Sequence, residues 1–350
     1  MSNTSDIKPT GVIGGGSFGT AIANLLAENG PVLLYARRTE VVERVNKARE
    51  NMQQKIHENV KATNSLQEVA ETCTLIFPTV PSIGFADMLK EVAPFLRPDH
   101  IMIHGTKGFH VELDDEESIV EAKKLNPAQV FTMSQLILDR TVVVRVGCLS
   151  GPNLAAELAE HKPAGTVIAS HFNEVTHLGI KAIKSNRLQV FASHDIIGVE
   201  LAGALKNVIA IASGSLSGMN LGENARALLI SKGLAEIIRI GTTLGGNLEA
   251  FLGLAGIGDI IATSSSTNSR NYNVGYRLSK GETLDHIIET SEELAEGINT
   301  VRIARLLAHA NRVRVPIIEM LYRALFENMS TKEGLAYLMK YPFEQDVDFL

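Results

Sequence analysis

The sequence predicts an α/β protein with two domains, a doubly wound and mostly parallel sheet followed by an all-helical domain. The chain has 350 residues, and a domain usually takes roughly 100–200 residues, so two domains are expected. Short apolar runs alternate with amphipathic stretches in the first part of the chain, whereas no convincing strand is evident in the second. We therefore predict one domain at residues 1–192 and a second at residues 193–350.

Seven short apolar runs in the first domain predict strands, because buried strands are typically short and apolar. They are Thr10–Gly14, Val32–Ala36, Cys73–Val80, His100–Gly105, Val142–Ser150, Gly165–Ser170 and Leu188–Ala192. Amphipathic stretches between several of them predict helices at Thr20–Asn29, Glu40–Glu50, Phe85–Pro94 and Leu154–His161. Strands that alternate with helices indicate a parallel sheet covered on both faces.

The pattern changes at residues 193–195, and the later segments predict helices with Gly and Asn clusters between them. These helices are Ile196–Ser213, Ala225–Leu244, Thr300–Asn311 and Ile317–Asn328. Their many apolar residues are consistent with a homodimer face and equally with an internal core, so the oligomeric state stays open.

Composition and charge exclude several classes of protein. Lys and Arg number 33 and Asp and Glu 39, giving a net charge of −6, which argues against a nucleic-acid partner. The sequence shows no secretory signal and no uncharged apolar run of about 18 residues, so we expect a cytoplasmic protein without a membrane segment. Cys73 and Cys148 should be reduced and buried, and no metal-binding motif is evident.

A glycine-rich turn follows the first predicted strand. Gly14, Gly16 and Gly19 fit the spacing G-x-G-x-x-G, with Ser17 and Phe18 between the last two. In this motif the first glycine permits a tight turn, the second admits a pyrophosphate, and the third allows close packing of helix on strand. Because the turn lies between a strand and a helix, it predicts dinucleotide binding.

Two other interpretations of this turn are an ordinary glycine-rich loop and the nucleophile elbow of hydrolases. Residues 15–19 also fit G-x-S-x-G, which would make Ser17 a nucleophile. Chain order opposes the hydrolase, because an earlier loop should help to build its oxyanion hole and almost nothing precedes Ser17.

The second predicted strand ends in Arg37 and Arg38. An acidic residue about 20 positions after the glycines favours NAD, whereas arginine there accommodates the 2′-phosphate of NADP. The arginine pair therefore favours NADPH over NADH, although a solvated pair at a helix start remains an alternative.

Two lysines are candidates for chemistry. Lys107 follows the fourth predicted strand, and ligands of such sheets bind at the carboxyl ends of strands. Lys206 lies in a segment that is apolar almost all round, which predicts a buried helix. Burial lowers the pKa of a lysine and suits it to proton transfer, although its ammonium could instead reach the rim.

A polar loop of the second domain adds a carboxylate and an arginine. Asp259 lies in a glycine-rich turn, and Arg270 and Asn271 stand at the start of a helix predicted at Tyr272–Ser279. Arginine and a helix N-terminus both suit a phosphate.

Taken together, these segments resemble the bacterial type of NAD(P)-dependent glycerol-3-phosphate dehydrogenase. The resemblance extends from residue 11 to about residue 300, and Gly203–Asn207 and Gly253–Asp259 are its most specific segments. It implies a Rossmann-like domain followed by an all-helical one, the 6-phosphogluconate-dehydrogenase-like plan. It also implies reversible reduction of dihydroxyacetone phosphate to sn-glycerol 3-phosphate with NADPH or NADH, which feeds glycerophospholipid synthesis.

The resemblance also implies roles for individual residues. Lys206 would be the proton acceptor in glycerol 3-phosphate oxidation, with Lys107 and Asp259 beside the reaction. The positions that match substrate-binding residues are Lys107, Gly151, Asn153, Lys206, Asn207, Asp259, Ser269, Arg270 and Asn271. The positions that match cofactor-binding residues are Gly14, Gly16, Ser17, Phe18, Gly19, Arg37, Arg38, Lys107, Ala155, Arg270, Leu294 and Glu296.

Some positions depart from the family pattern. Gly15 replaces the usual alanine, Phe18 the frequent tryptophan, and Asn153 the common serine or threonine, and residues 51–60 lack the usual Leu-Pro pair. Two rival functions remain: a hydroxyacid or hydroxyacyl dehydrogenase of the same plan, and a dinucleotide sensor without activity.

Overall fold

The structure is a computed structural model, and it describes residues 8–112, 126–291, 293, 295–342 and 346. The chain forms two compact units. The first comprises Met1–His110 and Thr132–Ile196, and the second comprises Val111–Phe131 and Ile197–Leu350.

The first unit contains an eight-stranded sheet with helices between its strands. The strands of this sheet are β1 (Thr10–Ile13), β2 (Val32–Tyr35), β5 (Val60–Thr63), β6 (Leu75–Pro78), β7 (Ile101–His104), β10 (Arg145–Ser150), β11 (Ala164–Ala169) and β12 (Leu188–Ser193). A separate two-stranded hairpin consists of β3 (Glu50–Asn51) and β4 (Gln54–Lys55). Strands β8 (His110–Val111) and β9 (Val130–Phe131) form another two-stranded sheet, and all of its residues except His110 belong to the second unit. The helices of the first unit are α1 (Ser17–Ala27), α2 (Thr39–Glu43), α3 (Leu66–Thr72), α4 (Phe85–Val92), α5 (Met133–Arg140), α6 (Ala155–Ala159) and α7 (Asn173–Ile183).

The sheet has the strand order β12-β11-β10-β7-β6-β1-β2-β5. Every neighbouring pair is parallel except β10 and β11, which are antiparallel. Strands β2 and β5 lie on one side of β1, and β6 and the later strands of the sheet lie on the other. Helices α1 and α7 pack against the sheet in the hydrophobic core. The doubly wound α/β prediction is therefore confirmed, with one antiparallel step that periodicity does not reveal.

Among the described residues after Ser193 the second unit is helical. Its helices are α8 (Ile196–Gly218), α9 (Gly222–Thr243), α10 (Leu248–Leu252), α11 (Asp259–Ser264), α12 (Arg270–Ser279), α13 (Leu284–Glu289), α14 (Glu296–Ala310), α15 (Pro316–Phe326) and α16 (Thr331–Lys340). Helix α8 has the length and apolarity of a membrane span, but 94% of its most apolar window is buried inside the protein. It is therefore placed as a core helix.

The stretch predicted as one helix at Glu40–Glu50 has a different structure. Helix α2 passes into a π-helical turn at Arg44–Ala48, and Arg49 then adopts a left-handed φ of 56° that ends the helical run. A two-stranded hairpin of β3 and β4 follows, and its turn residues Met52 and Gln53 also have positive φ. Because the turn residues of such hairpins are usually Asn or Gly, local sequence patterns do not predict this one.

Candidate active site

The glycine turn connects β1 to α1 and has the geometry that a dinucleotide needs. Gly14 has a φ of +130°, and a Cβ at Gly19 would lie 1.9 Å from the carbonyl oxygen of Gly14. A side chain at either position would therefore disrupt the turn. A Cβ at Gly16 would meet no atom within 4 Å, so the entrance to α1 is open. The unpaired N–H groups at the start of a helix suit the diphosphate of NAD or NADP.

The carboxyl ends of β1, β7 and β10 bring together several predicted residues in the first unit. A Cβ on Gly105 would lie 2.7 Å from the ring of Phe18, so the ring covers the loop after β7. Two residues along this loop, the Lys107 ammonium donates a hydrogen bond of 2.7 Å to the carbonyl oxygen of Gly151. Phe18, Lys107 and Gly151 thus share one edge of the sheet, where ligands of such sheets bind.

The loop after β10 contains the next two predicted residues. Gly151 has a φ of +146°, which favours glycine. Asn153 donates through Nδ2 to the Thr166 hydroxyl at 2.8 Å, while its buried Oδ1 accepts no hydrogen bond from the described residues. A buried amide oxygen of this kind is available to a ligand hydroxyl. Ala155 is the first residue of α6.

Arg37 and Arg38 lie exposed directly after β2. Neither guanidinium forms an ion pair within the described part of the chain, and Arg38 occupies the N-cap position of α2. Both positive charges are therefore available to an anion beside the glycine turn.

Lys206 belongs to a buried three-residue cluster in the second unit. Its Nζ lies 3.1 Å from Oδ1 of Asp259 and donates to the Thr263 hydroxyl at 2.6 Å. That hydroxyl in turn donates to Oδ1 of Asp259 at 2.9 Å. The Lys206 side chain is only 7% exposed, so its ammonium does not reach the rim. A buried ammonium with a carboxylate partner is suited to proton transfer.

The start of α12 is connected to α8 and α14 by amide hydrogen bonds. Asn271 donates through Nδ2 to Oδ1 of Asn207 at 2.9 Å, and its Oδ1 accepts from the backbone N–H of Gly297 at 2.9 Å. Ser269 caps α12 by accepting from the Tyr272 N–H at 3.2 Å. These contacts fix the helix terminus that carries Arg270.

Arg270 is half exposed and forms an ion pair of 2.8 Å with Glu293. One guanidinium nitrogen is used in this pair, which leaves other N–H donors of the fork for an anion. Glu296 is the first residue of α14. Leu294 lies outside the described residues.

Several side chains that the sequence analysis did not select contact these positions. Thr263 lies four residues after Asp259 on α11, so the two side chains are neighbours on one face of that helix. No local sequence pattern predicts the ion pair of Glu293 with Arg270. The same is true of the hydrogen bonds that join the β3–β4 hairpin to the glycine turn. No group of three or more His, Cys, Asp or Glu side chains among the described residues could hold a metal.

Comparison with known protein families agrees with this geometry. A model of the NAD-dependent glycerol-3-phosphate dehydrogenase N-terminus matches residues 9–176, and a model of the C-terminus of the same family matches residues 195–336. The chain belongs to the NAD-dependent glycerol-3-phosphate dehydrogenase family. Named relatives of this family are similar over nearly their whole length. The glycerol-3-phosphate dehydrogenase [NAD(P)+] of Ectopseudomonas mendocina is 38% identical, covering 99% of this chain and 98% of its own.

Solved structures support the same family. Glycerol-3-phosphate dehydrogenase from Coxiella burnetii aligns with a TM-score of 0.85 and 28% identity, covering 95% of this chain and 99% of its own. A ketopantoate reductase from Ralstonia eutropha, at 14% identity and a TM-score of 0.55, covers 93% of this chain and 99% of its own and shares the fold alone. The two-part fold is thus that of this dehydrogenase family and its wider structural relatives.

Proposed function

We propose that this protein is a glycerol-3-phosphate dehydrogenase that reversibly reduces dihydroxyacetone phosphate to sn-glycerol 3-phosphate with NADPH or NADH. The observation that carries the proposal is the buried cluster of Lys206, Asp259 and Thr263 in a chain of this family. A ligand-binding role alone would give no reason to bury an ammonium at this position.

The first unit supplies most of the cofactor site in this proposal. The glycine turn would bind the diphosphate, Phe18 would cover the site, and Arg37 and Arg38 would contact the adenosine end. The other residues assigned to the cofactor are Gly14, Gly16, Ser17, Gly19, Lys107, Ala155, Arg270, Leu294 and Glu296. When bound, NADPH or NADH supplies the hydride.

Lys206 acts as the acid when the ketone is reduced. As hydride adds to C2, the electron pair of the carbonyl bond moves onto oxygen, and the Lys206 ammonium gives that oxygen its proton. Glycerol 3-phosphate oxidation reverses these transfers. Asp259 favours the charged form of the lysine, and Thr263 restricts the direction in which the ammonium points.

The substrate phosphate is assigned to the start of α12. Arg270 offers a planar fork of donors, and the first N–H groups of the helix add to the attraction. Holding the phosphate away from the reacting carbon orients C2 for the hydride. Lys107, Gly151, Asn153, Asn207, Ser269 and Asn271 complete the assigned substrate residues.

The arginine pair after β2 supports a preference for NADPH. Both side chains are exposed and positively charged, as a 2′-phosphate requires. Replacing both with alanine should reduce the ratio of kcat/KM for NADPH to kcat/KM for NADH. An unchanged ratio would remove this role from Arg37 and Arg38.

We further propose a cytoplasmic role in supplying the glycerol phosphate backbone of phospholipids. The proposed product, sn-glycerol 3-phosphate, supports this role. A homodimer is compatible with the apolar helices of the second unit and would be tested by light scattering.

The deciding experiment follows absorbance of the reduced nicotinamide with purified protein and dihydroxyacetone phosphate. Oxidation of NADPH should require dihydroxyacetone phosphate. Its rate should fall by about 100- to 10,000-fold in Lys206→Met, which is the usual contribution of a general acid. Fluorescence titration should show that this variant still binds NADPH. Cofactor binding without turnover in the wild-type protein would instead favour a sensor.

Arg270→Ala distinguishes this enzyme from hydroxyacyl dehydrogenases that bind no phosphate at this position. The KM for dihydroxyacetone phosphate should rise strongly in this variant. Arg277→Ala is the matched control, because Arg277 lies on the same helix and also pairs with a carboxylate, Glu282. Equal kinetics in the two variants would contradict the assignment of the phosphate to Arg270.

A further inference from the structure

The β3–β4 hairpin places two buried amide side chains against the glycine turn. Asn51 is 1% exposed and Gln54 is 6% exposed, although both are polar and lie in a two-stranded hairpin of only four paired residues. Buried polar side chains are normally hydrogen-bonded, and their partners show what they stabilise. In both cases the side-chain NH2 group donates to the glycine turn or to the first turn of α1.

Three successive carbonyl groups of the turn each accept a side-chain hydrogen bond. Asn51 donates through Nδ2 to the Gly15 oxygen at 2.8 Å, and Gln54 donates through Nε2 to the Ser17 oxygen at 3.0 Å. Between them, the Thr20 hydroxyl donates to the Gly16 oxygen at 2.8 Å. Asn51 also donates to the Thr20 hydroxyl at 2.8 Å, which joins the three contacts into one network.

The orientation of the Asn51 amide is fixed by its partners on both sides. Nδ2 faces two acceptors in the turn, while Oδ1 accepts from Nη2 of Arg44 at 3.3 Å. A flipped amide would place oxygen against oxygen at Gly15 and nitrogen against nitrogen at Arg44. Asn51 therefore acts as a donor toward the turn.

Fixing these carbonyl groups also fixes the N–H groups that follow them. In a planar trans peptide, the C=O of one residue and the N–H of the next point in opposite directions. The carbonyls of Gly15, Gly16 and Ser17 point toward Asn51, Thr20 and Gln54. The N–H groups of Gly16 and Phe18 consequently point away from the hairpin, and the N–H group of Ser17 points away from Thr20, toward the open entrance of α1.

We propose that Asn51 and Gln54 are positioning residues that hold these three N–H groups in the orientation that binds the cofactor diphosphate. This inference rests on the proposed use of the glycine turn as the cofactor site. The hairpin would lower the cost of binding, because the donors are oriented before the diphosphate arrives. It would act on cofactor affinity and leave the binding of dihydroxyacetone phosphate unchanged.

The backbone of the hairpin agrees with a positioning role. Arg49, Met52 and Gln53 all have φ between 49° and 60°, a conformation that side chains other than glycine rarely adopt. Strained backbone of this kind persists where surrounding contacts impose it, and it is concentrated near functional sites.

The test compares three variants by titration of NADPH fluorescence. Asn51→Ala and Gln54→Met should each weaken NADPH binding by about tenfold, the effect of losing one buried hydrogen bond. Their KM for dihydroxyacetone phosphate at saturating NADPH should stay within about twofold of the wild-type value, because neither substitution changes a residue assigned to the substrate. Asn46→Ala is the matched control. The Asn46 side chain donates to the Ala62 carbonyl at 2.9 Å and accepts from the Ala62 N–H at 2.8 Å, so it does not contact the glycine turn. This variant should bind NADPH with the wild-type affinity.

Competition by ADP and by adenosine identifies which part of the cofactor is affected. ADP should compete less well in the Asn51 and Gln54 variants than in the wild-type protein, whereas adenosine, which lacks the diphosphate, should compete equally in all. An equal loss for adenosine would overturn the proposal, and so would unchanged NADPH binding in both variants. If Asn51→Ala does not fold, Gln54→Met tests the same claim. A wild-type protein that binds neither NADPH nor NADH would overturn the proposed function itself, an outcome visible before any variant is made.

Discussion

Lys206 shows how burial and hydrogen bonding combine at a single residue. An apolar helix around a lysine was enough to select Lys206 from the sequence, because a buried lysine needs a partner. The partner carboxylate, Asp259, lies 53 positions later and entered the sequence analysis only through its glycine-rich turn and the family resemblance. Thr263 was not selected, since a threonine on a short helix has no distinctive pattern. Only the folded chain shows that its hydroxyl contacts both charged groups.

Thr263→Val should lower kcat with little loss of stability. Valine keeps the shape of threonine but removes the hydroxyl that donates to Asp259 and accepts from Lys206, so the ammonium loses its fixed direction. Because both of these hydrogen bonds are lost, we expect kcat to fall by at least about tenfold, with NADPH affinity unchanged. Steady-state kinetics and fluorescence titration measure the two quantities.

Thr176→Val is the matched control for this experiment. Thr176 is also buried, but its hydroxyl donates only to Asn173 of its own helix, at 3.0 Å. If the Thr176 variant lost as much activity as the Thr263 variant, the effect would be one of stability and not of ammonium orientation.

Helices α8 and α12 approach each other so closely that their backbones are in contact. A Cβ on Gly275 would lie 1.8 Å from the carbonyl oxygen of Ile211, and a Cβ on Gly214 would lie 1.9 Å from that of Tyr272. Backbone atoms cannot move aside as a flexible side chain can. These glycines therefore set the position of α12, whose first residue is Arg270.

Gly275→Ala should destabilise the protein and raise the KM for dihydroxyacetone phosphate. Inserting a methyl group into a close contact costs about 1–3 kcal/mol, and here α12 must shift to accept it. Thermal unfolding and steady-state kinetics provide the measurements. Gly84→Ala is a suitable control, because a Cβ there meets no atom within 4 Å, and equal effects of both substitutions would exclude the packing explanation.

Local sequence patterns predict most elements of the sheet but not all of them. Apolar runs with turn residues around them identified seven strands of the large sheet, because short apolar runs bounded by turn residues are typical of strands. Strand β5 was missed, since its four residues, Val60–Thr63, lie at the sheet edge and include a lysine. The β3–β4 hairpin was missed because its register depends on contacts with the distant glycine turn and on an unusual turn sequence.

The candidate site shows the same limit. Motif spacing selected the glycine turn, and strand ends selected Lys107, because both signals are local in sequence. The ion pair of Arg270 with Glu293 joins side chains on separate segments, and no local pattern encodes it.

At the scale of the whole molecule, stability in acid depends on a charged group between α14 and α15. Burial opposes ionisation of Glu319, but hydrogen bonds and charge from Arg305 and Arg323, with His309 nearby, outweigh it and hold the pKa of that carboxyl below its usual value. The carboxylate lies 2.6 Å from Nε of Arg305 and 3.2 Å from Nε of Arg323. The native state therefore binds a proton at this site less readily than the unfolded chain.

The free energy of unfolding should fall as the pH is lowered below about 4.5, the ordinary pKa of a glutamate. A carboxyl with a lowered folded-state pKa stabilises the native state above its unfolded pKa, and this contribution is lost as the pH falls through the folded value. Glu319→Gln should be less stable at pH 7 and show a shallower decline in acid. Denaturant unfolding at several pH values measures both, and parallel curves for the two proteins would contradict the prediction.

Both cysteines of the chain are buried and free, and burial raises the pKa of the Cys73 thiol to about 12. Thiolates are the reactive form, so native protein should be inert to maleimide dyes. A single cysteine introduced at the exposed hairpin tip, in place of Met52, would then be the one rapidly labelled position. A dye there would report, in real time, whether the hairpin moves when cofactor binds.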